Sequence, residues 1–176
     1  MKKTIWINGL IGGLIIATMM VGSTILFYGK ENFEGSMVLG YLGMLLAFSF
    51  VFVGIKNYRE KFNSGTITFG KAFKIGLLIS LISSLIYVLV WLVEYYVFIP
   101  DFMEKYAACM LKQASESGAS LAEIKATTDE MEMYKELYKN PIWVILMTFG
   151  EVFPVGFIIS LISALILKRK AKPEII

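Results

Sequence analysis

Four long apolar segments dominate this chain of 176 residues and restrict the folds open to it. They cover roughly residues 4–28, 37–55, 75–97 and 142–167. Each reaches the ~20 apolar residues that an α-helix needs to cross the ~30 Å of bilayer hydrocarbon. The segments therefore predict an all-α fold, an integral membrane bundle of four transmembrane helices, within one membrane domain over residues 1–176.

Composition excludes several classes of function. The chain has no histidine, the commonest general base and metal ligand, so a Ser-His-Asp or Cys-His mechanism is excluded. Its single cysteine, Cys109, rules out an internal disulfide and a Cys-x-x-Cys metal site. No phosphate-binding loop and no dinucleotide fingerprint is present. We therefore expect no enzymatic activity, no cofactor and no metal site.

Basic residues gather at one set of segment ends, and such ends are usually cytoplasmic. Lys2 and Lys3 precede the first segment, five basic residues lie at 56–74, and four lie at 168–172. The stretch 100–140 carries five lysines against eight acids. This asymmetry predicts cytoplasmic termini and an external 100–140. Because topology explains these charges, no nucleic-acid partner is expected.

The first apolar run also follows a basic start, as a secretory signal does. It continues for about 25 residues, and no small-residue cleavage site follows it. We interpret it as a retained span in the cell membrane.

The polar stretch 100–140 predicts an extracytoplasmic amphipathic helical hairpin. Apolar residues recur every three or four positions in two runs separated near Gly118. Ser120 and Glu123 form a capping-box pattern at the start of the second run. Asn140 before Pro141 ends that run. Two interpretations stay open: a lid packed on the outer ends of the spans, or a surface that docks a partner.

Spans three and four share a short internal similarity. Residues 76–86 and 156–166 are identical at eight of eleven aligned positions. Their small residues fall on one helix face, which lets helices approach closely in lipid. The candidate packing residues in these spans and in the first are Gly76, Ser80, Ser83, Gly156, Ser160, Ser163, Gly9 and Gly13.

Depth along the helices places the two serine pairs in the same half of the membrane, so we expect them to meet. The alternative is an inverted-repeat transport site. Gly9 and Gly13 predict packing within the chain, with a seam between two protomers of a homo-oligomer as the alternative.

Glu94 and Glu151 are the only ionisable residues set well inside apolar runs. They lie about 27 and about 24 Å from the cytoplasmic ends of their helices, near the outer boundary. Intramembrane carboxylates face protein or water. They are either interfacial groups bonded to Ser23, Thr24, Tyr41 or water, or groups that couple to a proton or cation. Glu151 points away from the small-residue face of its helix, so a carboxylate pair is not predicted.

Three stretches carry a family resemblance: TITFGKAFKIGLLIS at 66–80, Trp91-x-x-Glu94, and FPVGFIISLISALILKRK at 153–170. The chain resembles, over essentially its whole length, an uncharacterised bacterial membrane-protein family, domain-of-unknown-function family 4199. The resemblance implies a small bacterial four-span membrane protein, and we expect it to lie in the inner membrane. It implies no activity, substrate or site.

The expected function is that of a small integral membrane scaffold or accessory subunit without catalysis. Its partners are the lipid bilayer and either a second copy of the chain or another membrane protein. The alternative is a small transporter or channel component that uses Glu94 or Glu151.

Overall fold

Six helices form the part of the chain that the computed structural model describes, residues 1–28 and 33–169, with the side chains of 33–36 left out. The predicted turn at 29–36 and the charged tail after Arg169 therefore lie partly or wholly outside the described residues. The helices are α1 (Lys2–Phe27), α2 (Phe33–Phe62), α3 (Phe69–Val93), α4 (Phe102–Glu116), α5 (Leu121–Tyr138) and α6 (Pro141–Leu167).

Four of the helices are long and apolar enough to span a membrane, as predicted: Lys2–Phe27, Met37–Phe62, Phe69–Phe98 and Pro141–Leu167. The chain is therefore a multi-pass membrane protein. The second and third spans are longer at their basic ends than the hydropathy pattern indicated. Lysine and arginine lower hydropathy but favour helix, so the helix continues past the apolar segment.

The four spans pack as a bundle in which α1 contacts α2 and α3, and α6 contacts the same two helices. The centre of the bundle is tightly filled. Its side chains with no exposed surface include Phe48, Val51 and Ile55 of α2, and Ile75 and Ile79 of α3. This core lies in the half of the bundle away from α4 and α5.

The predicted serine contact between α3 and α6 is present in that half. The Oγ atoms of Ser80 and Ser160 lie 2.9 Å apart, and either hydroxyl can be the donor of that hydrogen bond. The carbonyl of Gly156 lies 3.0 Å from the Ser80 hydroxyl and 2.7 Å from the Ser160 hydroxyl, and it accepts from the one that does not donate to the other serine. Gly76 is packed against the Cβ of Ser160, which lies 3.1 Å from the position of an added Cβ. Small side chains thus let the two backbones approach, and the hydroxyls satisfy one another without water.

The small-residue face of α1 packs within the chain. An added Cβ on Gly9 would lie 2.8 Å from Ile82, and one on Gly13 would overlap the side chain of Ile86. Ser83 donates a hydrogen bond of 3.0 Å to the carbonyl of Gly9. This face is therefore occupied by α3.

The polar stretch folds into α4 and α5, which contact each other. Gly118 in the connection has φ +76°, a left-handed conformation that glycine adopts at no steric cost. The capping box is formed, since Ser120 accepts from the Glu123 amide and Glu123 accepts from the Ser120 amide. Asn140 caps α6 by accepting from the amide of Ile142.

At the opposite end of the bundle, the connection between α2 and α3 is hydrogen-bonded to the end of α6. Ile67 and Arg169 exchange two backbone hydrogen bonds of 2.9 and 2.8 Å. Arg59 donates to the carbonyl of Leu167 at 3.0 Å. A cation at a helix C-terminus complements the helix dipole, so this contact supports the end of the fourth span.

Candidate functional site

A cavity of about 350 Å³ lies at the end of the bundle where α4 and α5 pack. All six helices contribute to its wall. We call it the Glu151 cavity, after the carboxylate on its wall. No sequence pattern predicted it, because its residues are brought together only by the arrangement of the six helices.

Aromatic side chains form much of the wall. The aromatic lining residues are Phe27, Tyr28, Tyr41, Tyr87, Trp91, Phe102, Tyr106, Tyr134 and Tyr138. They pack closely where α4 meets α3, since the rings of Trp91 and Phe102 meet edge-on at 5.0 Å. The wall is thus built from flat, polarisable groups.

Methionines and a few small residues complete the lining. Of the ten methionines in the chain, those at the cavity are Met19, Met20, Met37, Met44, Met103 and Met147. Methionine side chains are flexible and adapt to ligands of different shape. The sequence does not predict this placement, since a thioether carries no sign of whether it faces a neighbour or a cavity.

Glu151, one of the two predicted carboxylates, lines this cavity and is an exposed residue. Tyr87, Tyr106 and Tyr138 lie within range of its charge. Burial, followed by the nearby Glu151 charge, raises the pKa of Tyr138 to about 12. At neutral pH this phenol is therefore protonated and can donate a hydrogen bond.

Glu94, the other predicted carboxylate, is 5% exposed and does not line the cavity. It begins a π-helical turn, Glu94–Phe98, that continues α3. Its carboxylate accepts a hydrogen bond of 3.2 Å from Thr24, which does line the cavity. Thr24 is one of the partners that the sequence suggested.

The structure therefore brings both carboxylates to the same end of the bundle. Glu151 lies on the cavity wall, whereas Glu94 is buried and bonded to Thr24. Tyr87 lies within electrostatic range of Glu94 and of Glu151. The sequence placed both at similar depth but did not predict a pair. The π-helical turn was also missed, because a single inserted residue leaves no periodicity signal.

Polar contacts connect the first turn of α4 to the end of α1 beside the cavity. The hydroxyl of Tyr28 donates to Asp101, and Lys105 forms an ion pair of 3.0 Å with the same carboxylate. The hydrogen bond from Tyr28, with that from Lys105, lowers the pKa of Asp101. Asp101 is therefore ionised at neutral pH and holds α4 in place.

The eight predicted packing residues lie outside the cavity lining. All are buried: Gly9, Gly13, Gly76, Ser80, Ser83, Gly156, Ser160 and Ser163. Within residues 1–28 and 33–169, no group of three or more histidine, cysteine or acidic side chains could hold a metal ion. The cavity instead offers one carboxylate, several phenols and an apolar, adaptable wall.

No curated protein and no solved structure matches the chain. A family model described as "Protein of unknown function (DUF4199)" matches residues 7–169. The match includes all four spans from residue 7 onward and the whole Glu151 cavity. The chain therefore belongs to the DUF4199 family of proteins of unknown function.

Proposed function

We propose that this protein is a non-enzymatic accessory protein of the membrane whose task is to hold a small ligand in the Glu151 cavity. The observation that carries the proposal is the cavity itself. Its volume of about 350 Å³ falls in the range of small-molecule sites, which are mostly apolar with a few placed polar groups. Glu151 and the tyrosine hydroxyls supply those polar groups here.

The other half of the bundle favours binding over passage. Ser80 and Ser160 bond to each other there, and fully buried side chains such as Phe48 and Val51 fill the centre. A ligand in the cavity therefore meets a packed core. The position of Glu151 on the cavity wall favours transport as the second candidate function, which requires a further conformation in which this core opens.

We assign α4 and α5 to the external side of a bacterial inner membrane, with both termini in the cytoplasm. Basic residues support this orientation, since they lie at the opposite ends of the spans: Lys56, Arg59, Lys61, Lys71, Lys74, Lys168 and Arg169. Such clusters are typical of cytoplasmic ends. The Glu151 cavity then lies in the outer half of the membrane.

Trp91 provides a direct measurement of binding, because it lines the cavity. The other two tryptophans, Trp6 and Trp143, are exposed and are replaced by phenylalanine. The protein in lipid nanodiscs is titrated with 1-octanol, octyl sulfate and octyltrimethylammonium, which share one apolar chain. We expect at least one probe to give a saturable change in Trp91 emission.

Gly40 offers a way to fill the cavity. It lies on the cavity wall, and an added Cβ there meets nothing within 4 Å. Gly40→Phe should therefore fold normally and abolish the saturable response. Gly150 also has open space around it but lies outside the lining, so Gly150→Phe is the control and should respond as wild type. Absence of a saturable response to all three probes would contradict the proposed function.

A further inference from the structure

The Glu151 cavity combines a carboxylate with an aromatic wall, and this combination has a definite chemical preference. Tyr87 and Tyr138 line the cavity and lie within range of the Glu151 charge. The face of an aromatic ring attracts cations through its quadrupole, and the attraction strengthens when the cation is desolvated. A carboxylate adds a full negative charge at the same place. Both groups favour a cation over a neutral or anionic ligand.

Two lysine ammonium groups of this chain already lie over tyrosine rings in this way. The ammonium of Lys105 lies 4.3 Å from the ring centroid of Tyr28, a residue of the cavity wall. The ammonium of Lys71 lies 5.1 Å from the ring of Tyr58. Lys105 also forms an ion pair with Asp101, so these two residues together add little net charge beside the cavity.

The charge balance around the cavity also favours a cation. Among the described lining residues Glu151 is the one carboxylate, and neither lysine nor arginine is present. The segment 100–140 that covers the cavity carries eight acids against five lysines. A surface of this sign raises the local concentration of cations and their rate of association.

The remaining wall suits an organic group better than a small inorganic ion. Hard metal cations need several oxygen ligands, whereas Met19, Met20 and Met44 supply apolar, flexible surface. Such surface suits an alkyl or aryl group. The space is also large enough for more than a single ion.

We propose that the Glu151 cavity binds an organic cation, a substituted or quaternary ammonium with an apolar group. The ammonium lies against Glu151 and the rings of Tyr87 and Tyr138, and the apolar group lies among the methionines. This inference rests on the proposed function and names its ligand class.

The affinities of the three probes in the Trp91 titration test whether the cavity prefers an organic cation. Octyltrimethylammonium should bind at least about tenfold more tightly than 1-octanol or octyl sulfate, because it alone gains both the carboxylate and the ring faces. Glu151→Gln should remove most of this preference, because it should lower the affinity for octyltrimethylammonium far more than the affinity for 1-octanol. Glu132→Gln, which removes an exposed carboxylate outside the cavity, should leave the preference intact.

A second variant tests the ring contribution. Tyr87→Leu keeps an apolar side chain but removes a ring, so the affinity for octyltrimethylammonium should fall about three- to tenfold. The affinity for 1-octanol should fall by a smaller factor. Equal affinity for all three probes, or a preference for the cation that survives Glu151→Gln, would overturn the inference and leave the proposed function standing.

The ammonium group has two natural sources, a free organic cation or the choline-type headgroup of a lipid. Nanodiscs of phosphatidylglycerol and of phosphatidylcholine distinguish them. A free cation should bind in both. If the headgroup is the occupant, octyltrimethylammonium should change Trp91 emission only in phosphatidylglycerol. Either result supports an ammonium site, and silence in both membranes refutes it.

Discussion

Gly156 shows at the scale of single residues how closely two spans approach in this bundle. A Cβ added there would lie 2.7 Å from the ring of Phe48 and 2.8 Å from the Cβ of Ser80. Both distances are shorter than side-chain contacts in real proteins. Only a residue without a side chain therefore fits between α2, α3 and α6 at this point.

Gly156→Leu should therefore destabilise the bundle by about 1–3 kcal/mol, the usual effect of overpacking. Gly150 lies on the same helix with nothing within 4 Å of an added Cβ. Gly150→Leu should leave stability unchanged or raise it slightly, because leucine is the better helix former. Thermal unfolding of both variants in detergent checks the prediction. Equal unfolding temperatures for the two variants would remove the packing argument.

Some residue-scale contacts could be predicted from the sequence and others could not. The meeting of Ser80 and Ser160 follows from spacing and depth, which are properties of each helix alone. The role of Glu151 on a cavity wall depends on α4 and α5, which complete the cavity around it. The grouping of Tyr87 with Tyr138 likewise requires the tertiary fold.

At the scale of elements, α4 is attached to the bundle by a small polar contact. Asp101 accepts from Tyr28 at the end of α1 and pairs with Lys105. Phe102, the next residue, packs edge-on against Trp91 at 5.0 Å. Docking of α4 and the environment of Trp91 are therefore linked.

Acid should loosen this attachment. Hydrogen bonds hold the folded pKa of Asp101 below its ordinary value of 3.8. The stabilisation is therefore full above that value and is lost as the pH falls through the folded pKa. In the variant that retains only Trp91, emission should stay constant from neutral pH to about pH 4 and shift below it.

The control for this acid transition is Asp101→Asn, which cannot ionise. Its Trp91 emission should be insensitive to pH over the same range. An acid shift of equal size in wild type and Asp101→Asn would show that another group controls the docking of α4.

Local signals explain which elements could be predicted. The capping box at Ser120 and the stop at Asn140 depend on residues within one helical turn, and both are formed. The extension of α2 to Phe62 was missed because hydropathy identifies the apolar part of a helix and not its polar continuation. The backbone pairing of Ile67 with Arg169 joins distant parts of the chain and leaves no local pattern.

At the scale of the whole molecule, the bundle has two unlike halves. One is closely packed around Phe48 and the bonded Ser80 and Ser160. The other holds the Glu151 cavity, covered by α4 and α5. The number of spans follows from hydropathy, but the division into a packed half and a cavity half arises from packing among all six helices.

We propose that the four spans cross the membrane with α4 and α5 on the outside. Ser64 lies between α2 and α3, Ser117 follows α4, and both are exposed. Each is replaced by cysteine in a Cys109→Ala background and treated with an impermeant thiol reagent. In intact cells we expect labelling of Ser117→Cys alone, and labelling of Ser64→Cys only after permeabilisation. Labelling of Ser64→Cys but not Ser117→Cys in intact cells would contradict this orientation.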